Sequence, residues 1–251
     1  MTTIASLFLS LALSATAHAK VIGSNDLVVS NGGAVNLPHQ VREAVDTVGL
    51  ISMGCTGTHI GSNLVLTAGH CFLTLPAPIG DNYACPDITI QWGVRGDRRG
   101  LVSRCLRVVS LQLDRESDWA VFEVDRAPIK YSTVNIKDRV QPNQVLTVLS
   151  HPEGRPLEWS RRCKMLPFVS RGNGPRSLHH QCDTQPGSSG APVYDLETMQ
   201  VIGVHNGGFG NNVNGAGTVN YGTYVNTLPW QRIIAKARTR GQLRPLPGSV
   251  F

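Results

Sequence analysis

Several signals of other protein classes are missing from the 251-residue sequence. It has no Cys-x-x-Cys or His-Glu-x-x-His spacing, so we expect no metal site. Its basic residues lie in small scattered groups without interleaved aromatic side chains, so nothing indicates a nucleic-acid partner. Beyond residue 19 no apolar run is long enough to cross a bilayer. We therefore expect the mature chain to be soluble, with no membrane contact.

Charged and aromatic residues are also scarce, at 16% and 6%, whereas Gly and Pro are plentiful, with 26 and 15 residues. Because strong helix formers do not dominate, this composition favours many short strands joined by turns. A hydrophobic content of 41% is enough to bury one large core or two smaller ones. The formal net charge of +6 is mild and would attract acidic substrates only weakly.

Residues 1–19 are interpreted as a secretory signal peptide. Residues 4–15 are apolar but too short to span a bilayer, and Ala17-His18-Ala19 places small residues at the two positions that cleavage needs. The segment departs from the usual pattern because no Lys or Arg precedes the apolar run. The alternative is a short membrane anchor. The signal interpretation predicts a secreted protein, either extracellular or periplasmic.

Six cysteines in an exported chain indicate three disulfides. A predicted hairpin would bring Cys55 and Cys71 together. Strands on either side of a turn at residues 172–174 would place Cys163 beside Cys182. The pair Cys85–Cys105 then follows by elimination.

Apolar and β-branched runs predict an array of short strands. The predicted strands cover residues 48–53, 55–60, 64–67, 88–92, 101–111, 119–124, 145–149, 162–169, 177–182, 201–205 and 218–225. Residues 72–86 are predicted to form a proline-rich loop, and residues 126–144 a crossover between two halves. A final helix is predicted to be capped by Thr227, to bury Trp230, Ile233, Ile234 and Ala237 on one face, and to end at Gly241.

One stretch suits a nucleophile. In Gln185–Pro192, the residues Gly187 and Gly190 bracket a pair of serines, and glycine permits backbone angles that other residues avoid. A tight turn here can expose the Ser189 hydroxyl and direct the N–H groups of Gly187 and Ser189 at one point. A nucleophile with an oxyanion hole requires that arrangement. The alternative is an ordinary surface turn.

His70 is the candidate general base. It follows the predicted hairpin, and a Cys55–Cys71 disulfide would hold it in place. A general base needs rigid placement because its nitrogen must reach the nucleophile. The alternative is a histidine with a structural hydrogen bond.

Asp118 is the candidate carboxylate that orients the imidazole of His70. It stands at the start of a predicted strand with alternating apolar residues. Asp114 and Asp125 are rivals, but neither directly precedes an apolar strand. The alternative for Asp118 is a turn residue that caps the strand.

The chain resembles the chymotrypsin-like serine endopeptidases over about residues 21–240. Three motifs occur in the order of that family: Thr67-Ala68-Gly69-His70-Cys71, Asp118-Trp119-Ala120-Val121 and Gly187-Ser188-Ser189-Gly190-Ala191-Pro192. The resemblance implies an all-β fold of two six-stranded antiparallel β-barrels with a short C-terminal helix. The first barrel, residues 20–130, would carry His70 and Asp118. The second, residues 131–240, would carry Ser189, and residues 241–251 would form a tail.

Within that family the chain is similar to the bacterial glutamyl endopeptidases, the V8-like branch. The shared features are the start at Val21-Ile22-Gly23, the run Cys182-Asp183-Thr184, and Val201 to Gly208. The chain departs from the branch in its six cysteines and in having Ser188, Ala191 and Asn206 where Asn, Ser and Trp are common. None of these departures touches the three motif residues.

The resemblance implies peptide hydrolysis through an acyl-enzyme. Ser189 would attack the carbonyl, His70 would take the proton and return it to the leaving amine, and Asp118 would hold the imidazole. The N–H groups of Gly187 and Ser189 would stabilise the oxyanion. This chemistry needs no cofactor, and the expected partner is a protein or peptide substrate of a monomeric enzyme.

The resemblance also implies cleavage after Glu, and secondarily after Asp. Thr184 and His205 match the residues that bind the substrate carboxylate in that branch, and a protonated His205 would add charge. Asp183 occupies the place where trypsin-like enzymes bind Lys or Arg. The branch also has Asp there, so we expect Asp183 to point away from the pocket. Cleavage after Lys or Arg, or after small or apolar residues, remains an alternative.

A trypsin-like activation is not expected, because Ser188 carries no charge to receive a new amino terminus. The resemblance implies instead that the mature terminus at Val21 lies near the substrate pocket. A rival class is a non-catalytic relative that binds a partner or glycan, but no triad residue is lost here. A periplasmic chaperone-protease would need a peptide-binding domain after the last helix.

Overall fold

The structure, a computed structural model, describes residues 19–30, 37–73, 77–85, 87–96, 100–137, 141–167, 175–210 and 218–246. Residues 1–18 of the expected signal peptide and the turn at residues 172–174 lie outside the described residues. Within the described ranges the chain forms fifteen strands and two α-helices. They are β1 (Val28–Val29), α1 (His39–Ala44), β2 (Val48–Ile51), β3 (Cys55–His59), β4 (Leu64–Thr67), β5 (Ala77–Ala84), β6 (Thr89–Trp92), β7 (Val102–Leu113), β8 (Asp118–Val124), β9 (Val145–Ser150), β10 (Glu158–Trp159), β11 (Cys163–Leu166), β12 (Ser177–His180), β13 (Pro192–Asp195), β14 (Val201–Phe209), β15 (Val219–Tyr224) and α2 (Trp230–Arg238).

Six strands close the first barrel in the order β2–β3–β4–β8–β7–β6, and β6 pairs with β2 to complete it. β5 lies at an edge of this sheet and pairs with β7. Side chains that alternate along each strand fill the interior, where Ile51, Val65, Ile90 and Phe122 are fully buried.

The second barrel closes in the order β9–β11–β12–β15–β14–β13, and β13 pairs back with β9. Its interior contains Val148, Leu178 and Val193, each fully buried. An apolar cluster that includes Trp119 of the first barrel and Tyr194 of the second joins the two. The expected fold of two six-stranded antiparallel barrels with a C-terminal helix is confirmed.

Each end of the described chain pairs with the barrel that the other half of the sequence forms. The early strand β1 pairs with β10, which adds to β9 of the second barrel. After α2 the chain returns to the first barrel, where the Arg244 N–H donates to the Asn82 carbonyl at 2.9 Å and the Ala84 N–H to the Arg244 carbonyl at 2.7 Å. The two barrels therefore hold each other's chain ends.

The strand β5 corrects the expectation of a loop over residues 72–86. Proline, glycine and asparagine in this stretch favoured a loop, but the pairing with the distant strand β7 supplies the backbone hydrogen bonds of a strand. An edge strand tolerates such residues better than a central one. The short helix α1 was also not expected, and it has no side-chain cap hydrogen bond.

The terminal helix α2 differs from the sequence prediction at both ends. Pro229 directly precedes the first helical residue, and the Thr227 hydroxyl donates to a backbone carbonyl outside the helix. The helix ends at Arg238, before Gly241. Its buried face is narrower than expected, because Ile233 is fully buried whereas Ile234 is 44% exposed. No helix among the described residues has the length and apolar character that a membrane crossing requires.

The structure contains the three expected disulfides, Cys55–Cys71, Cys85–Cys105 and Cys163–Cys182. The first joins the start of β3 to the turn after β4, so it holds the residues next to His70 against the first barrel. The third joins β11 to the residue two positions beyond its partner β12.

Arg107 ties the end of α2 to the first barrel. Its side chain is 5% exposed, and Nε lies 2.7 Å from Oε2 of Glu123 on β8. Nη2 donates to the carbonyl of Ala237 at 2.9 Å, and Nη1 to that of Thr239 at 2.7 Å. A cation at the C-terminus of a helix is favourable because the last carbonyls carry partial negative charge.

We expect Arg107→Met to lower the free energy of unfolding by about 3 kcal/mol, because it removes the buried partner of the Glu123 carboxylate and the donor to two carbonyls. Urea unfolding with the disulfides intact measures this. Arg240 is the matched control, since it contacts the other oxygen of Glu123 at 3.1 Å with a side chain that is 78% exposed. Arg240→Met should cost less than about 1 kcal/mol. Equal losses in the two variants would contradict the assignment.

Candidate active site

The turn that carries Ser189 is fixed by hydrogen bonds of its own backbone. The Ser188 N–H donates to the Gln185 carbonyl and the Ala191 N–H to the Ser188 carbonyl, both at 2.9 Å. The turn lies between the end of β12 and the start of β13, and the Ser189 side chain is half-buried within it.

Gly190 allows this turn to approach the first barrel. Its φ of +83° is in the left-handed region. A Cβ at this position would overlap the Thr67 hydroxyl and the Thr56 carbonyl. A glycine after the nucleophile therefore brings the second barrel into close contact with strands β3 and β4.

His70 is held by two hydrogen bonds that it donates to one carboxylate. It lies on a single turn of 3-10 helix, Gly69–Cys71, directly after β4. Its Nδ1 is 2.6 Å from Oδ2 of Asp118, and its backbone N–H donates to Oδ1 at 2.9 Å. The ring and its backbone are thus fixed together, with Nδ1–H on the carboxylate side and Nε2 as the remaining proton acceptor.

The pKa of His70 is raised above its ordinary value of 6.5. Burial disfavours the charged ring, but the Coulomb attraction and the hydrogen bond of Asp118 outweigh it. The imidazolium that forms when His70 accepts a proton is therefore stabilised in place.

The two rival aspartates have other partners. Asp114 accepts the N–H groups of Glu116 and Ser117, at 2.8 and 2.9 Å, and so closes the turn before β8. Asp125 accepts the Arg104 N–H at 2.8 Å after β8 ends. Of the three candidates, Asp118 is the one that contacts His70.

Ser189 lies beside the His70 turn. Its carbonyl accepts the Thr56 N–H at 2.8 Å and is 4.0 Å from Sγ of Cys71, the residue after His70. The side-chain hydrogen bonds of the described residues do not include one from the Ser189 hydroxyl to the His70 ring. In proteases without substrate this contact is often long and shortens only in the substrate complex.

The N–H groups expected to form the oxyanion hole have no acceptor among the described residues. In the described part of the chain, the N–H groups of Gly187 and Ser189 donate to no other protein atom, although neighbouring N–H groups do. Gly187 has a φ of +94°, which glycine adopts without strain. Two free donors on either side of one peptide are what an oxyanion hole requires.

The chain near its amino end passes through the region of Thr184. The Lys20 N–H donates to Thr184 Oγ1 at 3.2 Å and to Asn220 Oδ1 at 3.0 Å, and the Lys20 carbonyl accepts from both residues. The backbone nitrogen that contacts Thr184 thus belongs to Lys20, one residue before the expected mature terminus at Val21. Asn220 was not anticipated, because a buried amide in a strand has no local sequence signal.

Asp183 binds the amino-terminal segment rather than standing free. Its Oδ1 accepts the Ile22 N–H at 2.8 Å and its Oδ2 accepts the Asp26 N–H at 2.7 Å. Burial raises the pKa of this carboxyl, and the two hydrogen bonds oppose that shift.

His205 is the end of a chain of hydrogen bonds that fixes its tautomer. The Cys182 N–H donates to Nδ1 of His180 at 3.2 Å, so the proton of His180 is on Nε2. That proton faces Nδ1 of His205 at 3.2 Å. The proton of His205 is therefore on Nε2, and this buried group has no partner among the described residues.

The surroundings of His205 disfavour the protonated ring that would have added charge to the pocket. Burial lowers its pKa well below the ordinary value, and repulsion by His180 and His70 lowers it further. Burial likewise lowers the pKa of His180 to about 3. His205 is thus a neutral N–H donor near neutral pH. Its carbonyl accepts the N–H of Gly190, the residue after Ser189, at 2.8 Å.

One group of described residues, Cys55, His70 and Cys71, has metal-ligand side chains within reach of one another. The two sulfurs are joined to each other in a disulfide, so neither is a thiolate ligand. Nδ1 of the histidine is engaged by Asp118. This group therefore does not suit a metal ion.

The comparisons with known proteins agree with this geometry. The trypsin-like peptidase domain family matches residues 55–204, which is more than half of the chain. A glutamyl endopeptidase of Staphylococcus aureus (strain MW2) is 31% identical over 94 residues, which cover 37% of this chain and 27% of that protein. The match thus spans about a quarter of the length of the staphylococcal enzyme.

Solved structures share the fold. A Glu endopeptidase in complex with MPD has a TM-score of 0.62 at 19% identity, covering 87% of this chain and 100% of that chain. The active form of the Rv3671c protease from M. tuberculosis has a TM-score of 0.56 at 17% identity, covering 89% and 94%. At these identities the likeness concerns the fold alone. The family match includes β3, the His70 turn, Asp118 and the Ser189 turn, and the chain belongs to the trypsin-like peptidase domain family.

Proposed function

We propose that Ser189, His70 and Asp118 form a catalytic triad that cleaves peptide bonds through an acyl-enzyme. The observation that supports this most directly is the double hydrogen bond of Asp118 to His70, at 2.6 and 2.9 Å, beside a turn that presents a serine. Asp118 holds the proton on Nδ1, which leaves Nε2 to accept the proton of the Ser189 hydroxyl.

The steps follow from these positions. Ser189 Oγ bonds to the substrate carbonyl carbon while its proton passes to Nε2 of His70. The carbonyl oxygen becomes an oxyanion, which the free N–H groups of Gly187 and Ser189 stabilise. His70 then gives its proton to the leaving amine, and water releases the acyl group by the same route in reverse.

We propose cleavage after Glu as the substrate preference. The Thr184 hydroxyl donates only a long hydrogen bond, 3.4 Å to the Lys20 carbonyl, and the neutral Nε2–H of His205 has no partner among the described residues, so both are suitable donors to a carboxylate. Asp183 is engaged by two backbone N–H groups, so it is not free to bind a Lys or Arg side chain. This argues against trypsin-like specificity.

The amino terminus would supply the positive charge that His205 lacks. Cleavage of the signal peptide after Ala19 would convert the Lys20 backbone nitrogen into an ammonium group. That nitrogen already contacts Thr184 and Asn220. A substrate carboxylate would neutralise this buried charge, which favours an acidic residue before the cleaved bond. Three disulfides are typical of an oxidising compartment, so we further propose that the enzyme is secreted.

Ser189→Ala should reduce kcat by at least about 10⁴-fold without loss of folding, because the hydroxyl is the proposed nucleophile on a half-exposed turn. Asp118→Asn should also lose about 10⁴-fold, since it favours the wrong tautomer of His70. Asp114→Asn is the matched control and should remain close to wild type. Hydrolysis of a chromogenic peptide measures all three. A folded Ser189→Ala protein with wild-type activity would exclude the triad.

The dependence of kcat/KM on pH should report His70. A protonated ring cannot accept the serine proton, so activity should be lost as the pH falls through the His70 pKa, which is raised above 6.5. Asp118→Asn removes the charge that raises this pKa, so the acid limb should move to lower pH. An acid limb that does not move would assign the titration to another group.

Peptides that end in Glu, Arg, Ala and Phe before the chromophore should separate the specificities. We expect the Glu peptide to be cut fastest, and Thr184→Val to reduce kcat/KM for it by about tenfold, because a charge-assisted hydrogen bond is lost. Phe hydrolysis by the same variant is the control and should change little. Fastest cleavage of the Arg peptide would overturn the preference, and sequencing that finds a mature start at any residue other than Lys20 would remove the role of its amino group.

A further inference from the structure

Every carbonyl of the nucleophile turn from Pro186 to Ser189 is fastened by a donor. The Pro186 carbonyl accepts the Glu153 N–H at 2.5 Å, and the Ser188 carbonyl accepts an N–H within the turn. The Ser189 carbonyl accepts the Thr56 N–H at 2.8 Å, and the Gly187 carbonyl accepts the Thr56 hydroxyl at 2.9 Å. In a trans peptide the N–H points away from the C=O, so fixing these carbonyls fixes the N–H groups of the same peptides.

Thr56 is the one described residue whose side chain holds a carbonyl of this turn. Thr56 is fully buried. The oxygen of its hydroxyl also accepts the His151 N–H at 3.0 Å, while its single proton is directed to the Gly187 carbonyl, which can only accept. The hydroxyl is therefore fixed in one orientation, as donor to the turn.

The carbonyl that Thr56 holds belongs to the most adaptable residue of the turn. Gly187 has a φ of +94°, and glycine populates both halves of the φ range with little cost. Its carbonyl lies on the peptide between the two oxyanion donors, the N–H groups of Gly187 and Ser189. Rotation of that peptide would change the angle between the two donors.

We propose that Thr56 is a positioning residue for the oxyanion hole. Its hydroxyl holds the Gly187 carbonyl and thereby keeps the two N–H donors directed at one point. This role rests on the proposed function, in which these N–H groups stabilise the oxyanion. Because Thr56 lies on β3 of the first barrel and the turn belongs to the second, the oxyanion hole is completed across the two barrels.

Thr56→Val tests this role because it removes the hydroxyl and keeps a β-branched side chain. We expect kcat for the preferred chromogenic peptide to fall about ten- to hundredfold, while KM changes by less than about twofold, because the hydroxyl acts when the oxyanion forms. Thr56→Ser retains the hydroxyl and should remain within about threefold of wild type in kcat.

A pair of inhibitors distinguishes stabilisation of the oxyanion from binding of the peptide as a whole. A peptide aldehyde forms an adduct with Ser189 that places an oxygen in the hole, whereas the corresponding peptide alcohol forms none. Thr56→Val should weaken the aldehyde by about the same factor as kcat and leave the alcohol unchanged. A purely structural loss would weaken both.

Thr58→Val is the matched control. Thr58 lies two residues along the same strand and is equally buried, but its hydroxyl has no hydrogen-bond partner among the described residues. Its kcat should stay at the wild-type value. If Thr56→Val does not fold, as judged by near-ultraviolet circular dichroism, Thr56→Ala provides the same test with a smaller side chain.

The outcomes separate this role from the proposed function. Unchanged kcat and aldehyde affinity in a folded Thr56→Val or Thr56→Ala protein would overturn the role of Thr56, as would an equal loss in Thr56→Ser or Thr58→Val. Those results leave the triad intact if Ser189→Ala is inactive. Full activity in Ser189→Ala would instead remove the proposed function itself.

Discussion

Both carboxylate oxygens of Asp118 accept hydrogen bonds from His70, one from the ring and one from the backbone N–H. The position of Asp118 depends on the second barrel, although Asp118 and His70 both belong to the first. The Asp118 N–H contacts the Thr223 hydroxyl at 3.0 Å, and its carbonyl accepts the Asn206 side-chain amide at 2.7 Å. The proposed general base is therefore positioned by a hydrogen-bond network that exists only when β8, β14 and β15 are in place.

The same dependence recurs at the nucleophile. Thr56 of the first barrel holds the turn of the second through its backbone and its side chain, and Gly190 permits the close approach that these contacts need. The proposed reacting groups thus lie at the junction of two closed barrels, in which each of the six strands pairs with two neighbours. Neither barrel alone contains a complete set of donors and acceptors for peptide hydrolysis.

The sequence predicts the local parts of this site well. Short motifs surround the three residues of the proposed triad, and alternating apolar runs locate most barrel strands. What it does not predict depends on distant partners or on burial. Strand β5 exists because β7 lies beside it, Asn220 matters because Lys20 passes over it, and the neutral state of His205 follows from full burial against a second histidine. No local pattern encodes these relations, which is why Thr56 also escaped notice.

The pairing of each end of the described chain with the opposite barrel affects how easily a peptidase can cleave these segments. A peptidase takes its substrates as extended, unpaired segments, and proteolysis concentrates at disordered termini and exposed loop tips. Here the described part of the amino-terminal segment is bound by Asp183 and by β10, and the stretch around Arg244 by β5. Cleavage at either place would first require a strand or a buried carboxylate to release its partner, so the contacts between the barrels also limit the access of a peptidase to these two segments.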